Sequence, residues 1–201
     1  MGLLTNSASF VRFSVEGELP TDFWNFVAER LSKYAFRDID DNYDERSIGW
    51  VSCLNMFDSE FVYSSYVAGD YAVFSLRIDE RKVPAAALKK FTMKEEERIK
   101  RERQIPRLSR DHRKDIKDGV RLSLLKRALP IPSVYDLAWN LTDNTVLFFS
   151  TSQKAIGELE EFFKESFDLH LMMQIPYIIA GHLLEPEMAD RLAYISPEIL
   201  I

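Results

Sequence analysis

Lys89 to Arg103 and Ser109 to Arg127 are two helix-length stretches in immediate succession, and their charge constrains the chain more than any other feature. Between Arg77 and Arg127 stand 18 of the 26 basic residues and 9 of the 32 acidic ones. That segment carries +9 and the remainder −15, a division that the net charge of −6 conceals. A long charged helical hairpin therefore occupies the middle of the chain, and the flanking segments must supply the sheets and the core. A protein acidic everywhere except along one helical pair has concentrated its cations for a polyanion.

The arrangement says more than the count. With successive residues 100° apart around a helix, Arg110, Arg113, Lys114, Lys117 and Arg121 fall within an arc of about 100°. Asp111, Asp115 and Asp118 occupy a second sector, and Ile116, Val120 and Leu124 run along a third. In the first stretch Lys90, Lys94, Arg98 and Arg101 share a similarly narrow arc, with Glu97 at its edge. Glu96/Lys100 and Glu97/Arg101 are i,i+4 pairs of the favourable orientation, each worth only a few tenths of a kcal/mol. A solvated helix would carry such pairs, but segregation of sign on both helices is more than pairing requires.

The chain is long enough to bury a real core. Its 46% apolar content, with 14 Phe, 8 Tyr and 3 Trp spread throughout, marks a globular rather than a disordered protein. A single cysteine, Cys53, excludes an intramolecular disulfide framework and fits a reducing cytoplasm. Met1 to Ser9 has neither a basic nor an apolar region of the signal-peptide kind, so none is expected. No apolar run approaches the ~18 residues of a membrane span.

Phe10 to Val15 reads as a first strand closed by Gly17, and a helix follows to about Tyr34 with Thr21 as its N-cap. Its apolar positions Phe23, Val27, Leu31 and Tyr34 keep helical spacing. Asp38 to Glu45 is an acidic loop, and Ser47 to Cys53 a strand centred on Trp50. Phe61 to Val67 and Tyr71 to Ile78 form a hairpin across Gly69-Asp70. Pro84 opens the first charged helix, Pro106 ends it, and Ser109 caps the second. Pro130 and Pro132 make Ala128 to Ser133 an irregular, stiff loop. Val134 to Leu141 and Thr145 to Ser150 form another hairpin, Ser152 caps a helix through Phe163, and Leu169 to Ile175 is a strand. A last helix is expected over Pro186 to Tyr194. The fold class is α+β, with two small antiparallel sheet/helix units flanking the hairpin. The expected divisions are 1–83, 84–129 and 130–201, with the first and last either separate or one continuous domain.

Catalytic chemistry finds little support. Asp38, Asp40 and Asn42 start like a calcium loop, but Tyr43 stands where Gly is needed and Gly49 where a bidentate Glu is needed. His112, His170 and His182 have no ligand neighbours at metal spacing. There is no phosphate-binding glycine loop and no nucleophile elbow. Asp70 with Glu80 and Lys82 imitates a metal-nuclease pattern. Yet these acids bracket one strand, where ten residues at ~3.3 Å separate them by roughly 33 Å. No catalytic residue, metal or cofactor is assigned.

Several features, in order, resemble the RdgC family of recombination-associated DNA-binding proteins. They are the Ile48-Gly49-Trp50-Val51 strand, the Val83-Pro84 opening and the charged helical pair. The Leu124-Leu125-Lys126-Arg127-Ala128-Leu129 end and the Leu137-Ala138-Trp139 strand follow. The Lys154 to Phe163 helix and the strand into Ile175-Pro176 complete the series. The resemblance implies a cytoplasmic, nucleoid-associated homodimer that binds duplex DNA with little sequence preference and restrains recombinase action. In that family two subunits close a ring with a basic interior. Lys126 and Arg127 complete the candidate DNA contacts, Arg127 matching a basic position beside the family's DNA-facing loop. Leu129 stands where a bulky aromatic is familiar. Compared with longer members the chain resembles a short one, lacking the C-terminal part used in ring closure.

The expected function is sequence-independent binding of double-stranded DNA by charge neutralisation, in recombination or replication. The stripes offer no Asn or Gln for base readout. Two rivals remain: an exonuclease or nuclease accessory subunit using Asp70, Glu80 and Lys82, and a module whose hairpin docks an acidic protein. A two-fold dimer is expected, joined through the hairpin bearing Tyr63 and Tyr66 or through Ile195 to Ile201.

Overall fold

The computed structural model describes residues 2–61 and 65–185 together with 188, 191 and 194, the side chains of 178 and 182 excepted. Strand β1 (Val11–Glu16) buries Phe13 and Val15 and turns Arg12 and Glu16 outward, the period-2 pattern of a strand with one buried face. Helix α1 (Phe23–Lys33) buries Val27 and Leu31, one turn apart. Its N-cap is Asp22, not Thr21, and the Asp22 carboxylate accepts from Asn25 Nδ2 at 2.5 Å instead of from a main-chain N–H.

Strand β2 (Arg46–Val51) is followed by β3 (Val67–Ala68) and β4 (Tyr71–Arg81). Gly69, at φ 62°, makes the β3–β4 turn in a region that a side chain disfavours. The strand expected over Phe61 to Val67 thus reduces to Val67–Ala68, and 62–64, including Tyr63, lie outside the described residues. Helix α2 (Ala85–Arg103) starts directly after Pro84 and ends where Gln104 turns left-handed at φ 52°, two residues before Pro106. Helix α3 (Arg110–Leu125) is capped by Ser109, whose Oγ accepts from the His112 N–H at 3.2 Å.

The stiff loop expected over Ala128 to Ser133 is largely strand, because β5 runs from Pro130 to Asn140. Alternate residues of a strand direct their main-chain groups to the same side. Asp136 presents its carbonyl to Phe149 N–H at 2.9 Å on the side of β6 (Thr145–Phe148). Pro130 and Pro132 share its parity, so their missing N–H groups face an edge beyond the run that β6 pairs, Leu137↔Phe148 to Asn140↔Thr145. Prolines there forfeit no ladder bond to β6. Helix α4 (Gln153–Phe167), strand β7 (His170–Met173) and helix α5 (Pro176–Leu183) follow. Helix α5 was not anticipated, and most of the helix expected over Pro186 to Tyr194 lies outside the described residues.

The α+β class stands, and the strands expected in two sheet units join in one order, β2-β4-β5-β6-β1-β7, with β3 on β4. Strand β1 lies antiparallel to both β6 and β7, and α4 bridges those two strands. The described residues group into two compact units, one from Met1–Ala35, Trp50–Leu76 and Tyr135–Ile201, the other from Phe36–Gly49 and Arg77–Val134.

The first unit has an aromatic core. Trp50 meets Phe74 and Phe162, each at 5.0 Å between ring centroids, and Trp139 meets Phe23, Phe163 and Phe167 at 4.8 to 5.4 Å. Ile156, Leu159, Phe162, Phe163 and Phe167 line one face of α4, the stripe that its spacing dictates. Cys53, half-buried beside Val73, Ala138 and Phe149, has its thiol pKa pushed up, first by burial and then by the charge of Asp136. That is a packing cysteine rather than a nucleophile. Tyr66 is buried too, which removes it from the residues proposed for a dimer contact. Among the described residues no helix is long and apolar enough to cross a membrane.

In the second unit the end of β4 buries charge. Arg77 donates to both oxygens of buried Asp79, at 2.8 and 2.6 Å, and stacks on Phe36 at 4.1 Å. The guanidinium pKa rises through that hydrogen bond with Asp79, against the cost of burial.

Candidate nucleic-acid interface

Helices α2 and α3 lie against one another, yet α2 has no fully buried residue and α3 only Leu125. Ile116, Val120 and Leu124 are half-buried along the seam. So little apolar area leaves most of both helices in water, and all eleven candidate cations are exposed.

The two basic arcs border different grooves of the hairpin, the α3 stripe through Lys117 alone. One groove of the hairpin is lined by Lys94, Arg98 and Arg101 from α2 with Val120, Ser123, Leu124 and, past the helix, Arg127. Another is lined by Lys117 from α3 with Leu88, Lys89, Thr92, Met93 and Glu96 from α2. No residue of the α3 stripe borders the first groove and none of the α2 arc borders the second. The sequence places each arc on its own helix correctly but cannot say how the helices are rotated against each other.

Ion pairing separates the arcs further. On α2, Arg98 is held by Glu95 at 2.5 Å and Glu102 at 2.6 Å, and Lys100 by Glu97 at 3.2 Å. These differ from the i,i+4 pairs that the spacing suggested. Hydrogen bonds to Glu95 and then Glu102 raise the Arg98 pKa, and the same contact lowers that of Glu95. Glu95, Glu97 and Glu102 all border the α2 groove, so a polyanion meets carboxylates there as well as cations. The α3 stripe is different. Among the described residues, Arg110, Arg113, Lys114, Lys117 and Arg121 enter no ion pair, and only Arg113 makes an internal bond, to the Leu108 carbonyl at 3.3 Å. Five exposed cations on one face, none of them in an ion pair among the described residues, form the stronger candidate for phosphate contact.

The end of the hairpin adds Lys126 and Arg127. Lys126 sits over the Tyr43 ring at 5.3 Å. Leu129 is 83% exposed and Ile131 53%, an apolar pair next to the basic residues.

The nuclease pattern is not assembled. Asp70 precedes β4 and Glu80 lies near its far end, along an unbroken strand. Glu80 is engaged by Lys82 at 3.0 Å. Sequence reading gave no hint of another residue here. Arg81, inside that same Glu-Arg-Lys run, is 7% exposed and tied entirely to main-chain oxygens.

Comparison with known proteins identifies a family. A family model described as "Putative exonuclease, RdgC" matches residues 11–183. A search of curated proteins finds no match. The family match runs from β1 to α5 and takes in the whole charged hairpin, and on that basis the chain belongs to the RdgC family of recombination-related DNA-binding proteins.

Proposed function

We propose that this chain binds double-stranded DNA without sequence preference, with residues 84–129 as the contacting segment. Its lysines and arginines displace counterions condensed on the duplex, which supplies the affinity. The observation that carries the reading is the α3 stripe, where Arg110, Arg113, Lys114, Lys117 and Arg121 are exposed on one arc and enter no ion pair among the described residues. Lys94, Arg101 and Arg127 contribute from the other groove, with Lys90 on α2 and Lys126 past the end of α3. Bound in this way at the nucleoid of the cytoplasm, the protein restrains a recombinase by occupying its substrate.

Titration of unrelated duplexes across a salt series tests this directly. With six to eight phosphate contacts, log K falls against log[salt] with a slope of roughly −5 to −7, at about 0.9 per contact. Affinities for different sequences agree at each salt concentration. A slope near zero, or strong preference for one duplex, defeats the reading. The family description names an exonuclease. The same samples with magnesium therefore serve as a second assay, in which shortening of labelled duplex would favour the enzymatic alternative.

One stripe, about 11 residues at ~1.5 Å each, spans only some 16 Å of duplex. Tight binding then calls for a two-fold dimer that presents two hairpins to one DNA. Ile195 to Ile201, a candidate contact, lies outside the described residues. Light scattering with bound duplex is expected to give two chains per site, and a monomer of equal affinity contradicts it.

A further inference from the structure

Arg81 ends strand β4 with its guanidinium buried and, among the described residues, without a carboxylate partner. Every acceptor is a main-chain carbonyl. Nε donates to Asp44 at 3.1 Å, and Nη2 to Ile39 at 2.7 Å, Asn42 at 3.0 Å and, at the limit, Asp40 at 3.5 Å. Nη1 donates to the carbonyl of Ala128. A buried cation is costly unless its hydrogen bonds are satisfied. Here the planar fork of donors is filled by two segments distant in sequence.

Those segments are the acidic loop and the end of the basic hairpin. Ala128 follows the last turn of α3, where Arg127 N–H and Ala128 N–H still bond to the carbonyls of Leu124 and Leu125. A second contact joins the same two segments: the Tyr43 ring lies beneath Lys126 Nζ. Tyr43 stands between Asn42 and Asp44, both of which give their carbonyls to Arg81. Ile39 is buried at the start of the loop, but the side chains from Asp40 to Glu45 are exposed, so burial does not hold that stretch in place.

We propose that Arg81 is a positioning residue for the DNA-contacting end of the hairpin: it fastens Ala128 to the 39–44 loop and thereby fixes where Lys126 and Arg127 present their charges. The inference rests on the proposed DNA binding. Arg81 itself touches no phosphate, because its guanidinium is enclosed. A lysine at this place keeps the charge but not the fork, with three donors on a point charge instead of five in a plane.

The test is a set of double-mutant cycles in the full chain, read by duplex titration across salt. R81M is expected to weaken binding about as much as K126A/R127A, and to flatten the salt slope by about 1 to 2, at ~0.9 per lost contact. Combined with K126A/R127A it adds no further loss, whereas with K114A/K117A the losses add. A general loss of structure would not single out one pair of cations in this way. R81M with wild-type affinity and slope overturns the inference, and so does full additivity with K126A/R127A. Should R81M fail to fold, R81K is read by amide chemical shifts: 39–44 and 126–129 move together, and changes confined to β4 overturn the clamp. Wild-type protein without salt-dependent binding overturns the proposed function and this inference with it. Wild-type binding with an unaffected R81M overturns the inference alone.

Discussion

Reversing Lys114, Lys117 and Arg121 to Glu is expected to weaken duplex binding on the order of 100- to 1,000-fold at about 0.1 M salt. The size follows from three lost phosphate contacts, each contributing close to a decade at that ionic strength. Three new carboxylates on the same face add repulsion to the loss. Stability is expected to change by no more than about 1 kcal/mol, since all three side chains are exposed and make no ion pair among the described residues. The matched reversal on the other helix, K90E/K94E/R101E, separates the two arcs. Glu95, Glu97 and Glu102 already border the α2 groove beside Lys94 and Arg101, so removing the α2 cations should cost less. If the α2 reversal abolishes binding and the α3 reversal spares it, the DNA face is the other groove. If the α3 reversal unfolds the protein, the stripe has a structural role and the electrostatic account fails. Measuring binding and thermal unfolding on each variant decides among these outcomes.

How much of this was legible in the sequence depends on the kind of interaction. Local rules worked: Ser109 caps α3 as its hydroxyl chemistry demands, and Gly69 makes the turn before β4. Periodicity also worked, because Ile156, Leu159, Phe162 and Phe163 are buried where helical spacing puts them. Two prolines misled. Pro130 and Pro132 forbid only bonds on one side of a strand, and which side is open depends on where a neighbour stops. The basic arcs were visible on each helix, but their separation into two grooves depends on the rotation of α2 against α3, which no local pattern encodes. Arg81 was invisible for a stronger reason. Its partners are carbonyl oxygens, which every residue possesses, so no side-chain identity at 39, 40, 42, 44 or 128 advertises the contact.

Trp50→Ala is expected to destabilise the protein by about 3–5 kcal/mol, the usual cost of deleting a fully buried large aromatic. Trp50 is 0% exposed and its ring is enclosed by Phe74, Phe162 and Phe167 at 5.0 to 5.8 Å between centroids. Its Nε1–H donates to Ser166 Oγ at 2.9 Å, and that hydroxyl donates in turn to the Phe162 carbonyl at 2.7 Å. Truncation leaves a cavity among aromatic rings that cannot close around it, and removes the indole donor from a buried hydroxyl. At roughly 2–4 °C per kcal/mol for a chain of this size, the melting temperature should fall by about 6–20 °C. Trp50→Phe isolates the polar part. The ring volume is largely kept, Ser166 retains its bond to Phe162, and the loss should be smaller than for the alanine variant. A melting temperature for Trp50→Ala within about 2 °C of wild type would show that the aromatic cluster is not what holds this unit together. An equal loss for both variants would assign the cost to the hydrogen bond instead of the bulk of the packing, since the Nε1–H contact is missing from both and most of the ring volume only from the alanine variant.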